Sequence, residues 1–173
     1  MAEQQCDSPQ GPEISIRHSK DGDIEGIFAL YGQRSCYAGT LQRPYPSLAF
    51  WQKRLKDLPE NCYSLVAVRE GKIVGQLGME VYSNARRKHV ANFGMAVCES
   101  ARGQGIGSAL LAAMIDLATN WLAVRRIELE VYTDNQAAIA LYKSHGFEIE
   151  GEAKDYAFRD GGYVNAFLMA RCC

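Results

Sequence analysis

The sequence predicts a single mixed α/β domain, and two observations carry this prediction. The chain has 173 residues, the usual size of one domain, and its 47% hydrophobic content suits a soluble globular protein. Its periodic segments follow the order β-α-α-β-β-β-α-β-α-β-β, in which early hairpins adjoin one strand–helix–strand unit over residues 89–132. We expect residues 13–173 to form the domain and residues 1–12 a flexible N-terminal tail.

The first half of the chain alternates short strands and amphipathic helices. Residues 14–18 alternate apolar and polar like a half-buried strand. Apolar residues then recur at helical spacing over residues 24–31 and 48–58, separated by a loop rich in Gly and Pro. Residues 63–68, 72–81 and 89–97 read as three successive strands, the first two joined as a hairpin.

The second half opens with a glycine-rich segment and a long helix that ends near Leu122. Its broad apolar face predicts a helix lying flat on a sheet, with a stripe made by Ile106, Leu110, Met114, Leu117 and Trp121. A strand at 125–132 follows, then a short helix that stops at Gly146. Two strands joined by the turn at 159–162 finish the chain.

Composition and charge argue against several classes of function. The net charge is −1 and the pI about 6.3, so the chain lacks the basic field of a nucleic-acid or anionic-membrane binder. No apolar run approaches the roughly 18 residues of a membrane span. Six cysteines without C-x-x-C spacing and without a secretion signal predict reduced thiols in a cytoplasm and no bound metal.

The segment "RGQGIGSALL" places Gly103, Gly105 and Gly107 directly before a helix. A helix N-terminus offers unpaired N–H groups and partial positive charge, and glycines let a phosphate approach the main chain. The segment lacks the lysine of a P-loop. A dinucleotide fingerprint remains an alternative, because Gly103-x-Gly105-x-x-Ser108 nearly fits and Glu128 or Glu130 follows about 20 residues later.

Two motifs together resemble those of the GNAT superfamily of acetyl-CoA-dependent N-acetyltransferases. "RGQGIGSALL" is similar to its Q/R-x-x-G-x-G/A signature, and "NQAAIALYKSHGF" is similar to its N-x-x-A-x-x-x-Y-x-x-x-G-F signature. The resemblance covers about residues 13–171. It implies a mixed sheet of six to seven strands, splayed between the fourth and fifth, with about four flanking helices. His145 departs from the Leu or Tyr that is usual before Gly-Phe.

The resemblance also implies a cofactor site. The pantetheine arm of acetyl-CoA would bind along the splayed strand, and its pyrophosphate would bind at the glycine segment. The cofactor-binding residues that we expect are Met95, Ala96, Val97, Arg102, Gly103, Gln104, Gly105, Ile106, Gly107, Ser108, Asn135, Ala138 and Lys143.

Acetyl transfer to an amine requires a deprotonated amine, a polarised thioester carbonyl and a proton for the departing thiolate. The resemblance places Tyr142 near the thioester sulfur, so Tyr142 is the expected general acid. Glu80, which breaks the apolar pattern of its strand, is the expected base through a water molecule. A backbone N–H near Ala96 or Val97 is the expected oxyanion donor. The residues that we expect to bind the acceptor are Thr40, Leu41, Gln42, Glu80, Asn92, Tyr156 and Tyr163.

The whole chain resembles, more narrowly, a bacterial subgroup of L-amino-acid N-acyltransferases. The leading prediction is therefore acetyl transfer from acetyl-CoA to the amine of a small molecule, either a free L-amino acid or a toxic analogue. A non-catalytic acyl-CoA-binding module and a nicotinamide-dinucleotide oxidoreductase are the alternatives. The resemblance also implies a homodimer, formed through the C-terminal strands. The net charge and the absence of a long apolar run predict that it binds neither nucleic acid nor membrane.

Overall fold

The computed structural model describes residues 13–173, so the predicted tail at 1–12 lies outside the described residues. Seven strands form one sheet in the order β1-β2-β3-β4-β5-β7-β6. All neighbours are antiparallel except β4 and β5, which run parallel. The strands are β1 (Ser15–His18), β2 (Cys62–Arg69), β3 (Lys72–Val81), β4 (Val90–Val97), β5 (Arg126–Tyr132), β6 (Glu148–Arg159) and β7 (Gly162–Cys172).

Five helices cover the two faces of the sheet. They are α1 (Ile24–Tyr31), α2 (Arg34–Tyr37), α3 (Leu48–Lys56), α4 (Ile106–Asp116) and α5 (Gln136–Ser144). Helix α2, a single turn inside a segment expected to be irregular, brings the count to five rather than about four. Helix α3 begins where the Ser47 side chain accepts the Phe50 N–H. Within residues 13–173, no helix combines the length and apolar character that crossing a bilayer requires.

Two apolar clusters hold these layers together. The larger lies between the sheet and helices α4 and α5, and it buries Leu110, Met114 and Ile127 completely. The smaller lies on the opposite face, where Ile27 and Trp51 of helices α1 and α3 pack on the sheet. The α4 face is as broad as its sequence predicts, and it lies on β2, β3 and β4.

The expected place of Trp121 in the apolar stripe of α4 is wrong. The helix passes at Leu117–Trp121 into a π-helical segment, and the Trp121 side chain is 76% exposed. A π turn holds more residues than an α turn, so the 3.6-residue spacing no longer points successive side chains at the sheet. Ala118 is buried in this segment.

The sheet splays between the fourth and fifth strands, as the family resemblance implies. The two parallel strands pair only at Val90–Arg126, Ala91–Ile127 and Asn92–Glu128. Past Asn92 the β4 edge has no strand partner among residues 13–173, although β4 stays paired with β3 as far as Val97. This gap opens the middle of the domain to a ligand.

Candidate active site

A cavity of about 1040 Å³ occupies the gap between β4 and β5. Its lining combines the end of β4, the glycine segment, the start of α5, helix α3 and the loop after α2. Ligand sites commonly lie at the carboxyl ends of strands where a sheet changes direction. The cavity at the splay is thus lined by segments that lie between Tyr31 and Arg159 in the chain.

The glycine segment enters α4 through two left-handed residues. Gly103 has φ 70° and Gly105 has φ 80°, values that a side chain disfavours. In α4, the N–H of Ala109 is the first to donate to a carbonyl of the preceding turn, that of Gly105. The N–H groups of Ile106, Gly107 and Ser108 come before it, at the positive end of the helix dipole, where a helix start is suited to an anion.

Gly107 serves a different purpose from the other two glycines. A Cβ at this position would lie 2.9 Å from Leu141 Cδ2 and 3.3 Å from Met95 Cε. The missing side chain lets the first turn of α4 approach both α5 and the splayed strand. Gly103 and Gly105 are therefore required by the left-handed backbone, and Gly107 is required by close packing.

Arg102 and Gln104 point in different directions from this segment. Arg102 lines the cavity, and its guanidinium donates to the Val97 and Ser35 carbonyls at 3.4 and 3.0 Å. Gln104 lies outside the lining, because its amide donates to the Ser100 carbonyl at 3.0 Å and accepts from Arg69. A contact between Gln104 and a bound cofactor stays a prediction.

The two sequence signatures meet at Ser108. Its Oγ lies 2.8 Å from the Nε2 of His145, which follows α5. The helix begins at Asn135, whose side-chain oxygen accepts the Ala138 N–H at 3.3 Å. Asn135 and Ala138 line the cavity, whereas Lys143 is exposed and lies outside the lining.

Met95, Ala96 and Val97 line the cavity along the unpaired edge of β4. Strand β5 pairs with β4 only from Val90 to Asn92, so the main-chain groups on this edge have no strand partner among residues 13–173. An extended ligand can therefore add to β4 as a strand would.

Tyr142 lies beneath this edge on α5 and is 7% exposed. Its ring packs edge-on against Phe93 at 5.8 Å and against Phe147 at 6.0 Å between centroids. Burial raises the pKa of Tyr142 to about 12, so the hydroxyl keeps its proton at neutral pH. Tyr142 also lines the cavity, which makes it a proton donor within reach of a bound ligand.

Glu80 and Asn92 lie opposite each other on β3 and β4 and both line the cavity. Asn92 donates to the two carboxylate oxygens of Glu130 at 3.3 and 3.4 Å. Glu80 is exposed to the cavity and forms no ion pair among residues 13–173. No described cationic side chain therefore neutralises its carboxylate.

The loop after α2 closes one side of the cavity with Thr40, Leu41 and Gln42. The Tyr132 hydroxyl donates to the Thr40 carbonyl at 2.9 Å and fixes this loop to β5. Tyr156 lines the cavity and packs against Tyr132.

Tyr163 does not belong to this lining. It is 69% exposed and packs against Phe158 at the far end of the last hairpin. Alternation along a strand predicts which face a tyrosine occupies but not how far along the hairpin the cavity extends.

Sequence reasoning missed a buried polar chain in the cavity wall. The Tyr31 hydroxyl donates to Gln76 Oε1 at 2.7 Å, and Gln76 Nε2 donates to Ser64 Oγ at 3.1 Å. All three residues line the cavity and are at most 5% exposed. Gln76 interrupts an apolar strand just as Glu80 does, and this interruption is the signal that could have identified it.

Helix α3 supplies two further lining residues that the sequence did not single out. Trp51 stacks on Tyr31 with centroids 4.6 Å apart, and the Arg54 guanidinium lies 5.2 Å from the Trp51 ring centroid.

Among residues 13–173, no group of three or more His, Cys, Asp or Glu side chains could hold a metal ion.

Comparisons with known proteins identify the relatives of this chain. Residues 29–147 match the model of the acetyltransferase (GNAT) family. The L-amino acid N-acetyltransferase AaaT of Escherichia coli (strain K12) is 48% identical over 159 residues, which cover 92% of this chain and 98% of that protein.

Solved structures agree with this relationship. A GNAT-family acetyltransferase from Streptococcus pneumoniae is 26% identical with a TM-score of 0.82, over 92% of this chain and 99% of that one. A phosphinothricin acetyltransferase from Sinorhizobium meliloti, solved in complex with AcCoA, shares the fold at 24% identity with a TM-score of 0.82. That match covers 92% of this chain and 88% of the other.

Proposed function

The chain belongs to the acetyltransferase (GNAT) family, and on that basis we propose that it transfers the acetyl group of acetyl-CoA to the α-amino group of a free L-amino acid. One observation carries the proposal. The anion-binding start of α4, the unpaired edge of β4 and the hydroxyl of Tyr142 all border one cavity. These are the parts that a thioester donor with a pyrophosphate and an extended arm requires.

The glycine segment binds the pyrophosphate of acetyl-CoA. The N–H groups at the start of α4 donate to the phosphate oxygens, and the Arg102 guanidinium adds positive charge beside them. Asn135 and Ala138 contact the cofactor from the start of α5. The bare main chain at Gly103 and Gly105 supports this assignment, because side chains there would hold the phosphate away.

The edge of β4 orients the donor. Its main-chain groups at Met95, Ala96 and Val97 pair with the amide groups of the pantetheine arm in place of a neighbouring strand. A main-chain N–H near Ala96 or Val97 stabilises the oxyanion that develops on the thioester carbonyl. Holding donor and acceptor together contributes much of the rate acceleration.

Tyr142 acts as the general acid. Its hydroxyl gives a proton to the sulfur of coenzyme A as the C–S bond of the tetrahedral intermediate breaks, so that coenzyme A leaves as a neutral thiol. The raised pKa of Tyr142, about 12, supports this role because the hydroxyl is protonated at neutral pH.

Glu80 acts as the general base through a water molecule. An α-ammonium group has no lone pair, so it must lose a proton before it attacks the thioester carbonyl. The exposed Glu80 carboxylate on the cavity wall supports this role, and Asn92 lies opposite it on the next strand. Thr40, Leu41, Gln42 and Tyr156 enclose the acceptor.

The amino-acid acceptor is supported by the relationship to an L-amino acid N-acetyltransferase at 48% identity. The test is to incubate the protein with acetyl-CoA and a panel of free amino acids, amino-acid amides and polyamines, and to follow the release of free thiol. Thiol release with free amino acids, together with the N-acetyl product, is the expected result. Tight coenzyme A binding without thiol release for any amine would instead favour a non-catalytic module. Binding of a nicotinamide dinucleotide without binding of coenzyme A would favour an oxidoreductase.

We also propose a cytoplasmic homodimer formed through the C-terminal strands. Strand β6 is an edge of the sheet, and the hairpin that it forms with β7 exposes Phe158 and Tyr163. Sedimentation velocity of the wild type and of Phe158→Ser tests the dimer, because the variant should shift the distribution toward monomer.

The five free cysteines among residues 13–173 support the cytoplasmic location, because they are consistent with a reducing compartment.

A further inference from the structure

The cavity wall formed by α3, β2 and β3 carries one cation and one anion that have no ionic partner among residues 13–173. The cation is Arg54 and the anion is Glu80. Both are exposed to the cavity. Because the two charges are opposite, the wall suits a ligand that carries both signs close together.

The two other arginines of the cavity are already engaged. Arg159 pairs with Asp134, and its guanidinium stacks on the Tyr132 ring at 5.0 Å. Arg102 donates to two main-chain carbonyls beside the glycine segment, on the side proposed for the pyrophosphate. Arg54 is therefore the lining arginine with its hydrogen-bond donors available to an acceptor substrate.

Arg54 is held in place by the aromatic stack beneath it. Its guanidinium lies 5.2 Å from the centroid of Trp51, which itself stacks on the buried Tyr31. A cation held over an aromatic ring loses less side-chain freedom when it binds a ligand. The stack restricts Arg54 to the wall without using its hydrogen-bond donors.

Cys62 lies beside Glu80 on the same cavity wall that carries Arg54. The Cα atoms of Cys62 and Glu80 are direct partners across β2 and β3, and Cys62 also lines the cavity. Burial is the main cause that raises the pKa of the Cys62 thiol; Glu80 raises it further and Arg54 lowers it. Both charges therefore act on the same small region of the wall.

We propose that Arg54 binds the α-carboxylate of the acceptor while Glu80 faces its α-amine, so that this pair selects zwitterionic amino acids over amines that lack the carboxylate. This inference rests on the proposed function and deepens it. The guanidinium fork matches a carboxylate with two parallel hydrogen bonds. The amine and carboxylate of a free amino acid are attached to one carbon, which suits two opposite charges on one wall of the cavity.

The test compares the best free amino acid of the panel with its carboxamide, in the wild type, Arg54→Gln, Arg54→Lys and Lys53→Gln. Lys53 is the matched control, since it is an exposed cation on the same helix that lies outside the cavity lining. For Arg54→Gln we expect KM for the free acid to rise about 10- to 100-fold, the range for loss of a hydrogen bond to a charged group. We expect KM for the carboxamide and for acetyl-CoA to stay within about twofold, since neither ligand uses Arg54.

Arg54→Lys should recover part of the affinity for the free acid, because it keeps the charge without the fork. Unchanged KM for the carboxamide shows that Arg54→Gln is folded. A wild-type preference for the free acid in Arg54→Gln, or an equal loss in Lys53→Gln, would overturn this inference alone. Acetylation of amides or polyamines but of no free amino acid by the wild type would overturn the proposed function, and the inference with it.

Discussion

The Oγ of Ser108 lies 2.8 Å from the Nε2 of His145, and this contact joins the first turn of α4 to the end of α5. The two residues belong to different sequence signatures, 37 positions apart. His145 is fixed in turn, because its carbonyl accepts a hydrogen bond from Arg171 at 2.7 Å. The glycine segment at the start of α4 and the helix that carries Tyr142 are thus connected by a side-chain hydrogen bond.

A double-mutant cycle tests this connection. Ser108→Ala and His145→Leu should each lower the free energy of unfolding, and the double variant should lose less than the sum of the two. The expected coupling is about 0.5–1.5 kcal/mol, the net value of one hydrogen bond. Urea unfolding of the four proteins measures it. Strictly additive losses would show that the contact does not contribute to stability.

The left-handed conformation of Gly105 predicts a specific sensitivity. Gly105→Ala should lower the free energy of unfolding by about 1–2 kcal/mol, because an L-residue disfavours this conformation, and it should weaken coenzyme A binding. Gly162→Ala is the control, since a Cβ there meets no atom within 4 Å and the backbone is not left-handed. Urea unfolding and calorimetric titration with coenzyme A check both effects. Equal losses in the two variants would contradict the assignment.

Tyr142→Phe removes the proposed acid while keeping the ring packing. We expect kcat to fall about 100-fold, a typical contribution of general acid catalysis, with KM for acetyl-CoA little changed. Because the pKa of Tyr142 is raised to about 12, the ratio of wild-type to variant kcat should stay constant from neutral pH to about pH 10. Tyr82→Phe is the control outside the cavity lining. A ratio near one would remove Tyr142 from the mechanism.

The ion pair between Arg17 and Asp23 predicts a pH-dependent part of the stability. Arg17 approaches Asp23 at 2.6 Å and is the main cause that lowers the pKa of Asp23, with the Lys20 N–H also contributing. A carboxylate whose pKa is lowered by folding stabilises the folded state fully at pH values above its pKa in the unfolded chain, which is about 3.9. This stabilisation is lost as the pH falls through the lower folded-state value.

Asp23→Asn should therefore be less stable than the wild type at pH 7, and the difference should shrink as the pH falls below about 3.9. Asp160→Asn is the matched control. Its ion pair with Arg34 is exposed on both sides, at 68% and 57%, so we expect little change at any pH. Urea midpoints measured across this pH range distinguish the two. A constant gap between Asp23→Asn and the wild type would contradict the linkage.

Local patterns in the sequence determined the strands, most of the helices and the position of the glycine segment before α4. The family resemblance implied the splay between the fourth and fifth strands, whereas alternation and helical spacing predicted all seven strands and four of the five helices of residues 13–173. These features depend on residues close together in the chain, where backbone conformation and face burial follow from local spacing. Trp121 marks the limit, because a change from α to π winding is not encoded in the apolar spacing.

Only the tertiary structure decided which side chains meet in the cavity. Arg54, Gln76 and Ser64 belong to three separate elements, and nothing in their local sequence places them on one wall. Gln104 and Lys143 stand beside cavity residues in the chain, yet both lie outside the lining, as does Tyr163 on the last hairpin. The physical reason is that strand pairing and helix packing join segments many residues apart, whereas a motif fixes only the backbone in its own neighbourhood.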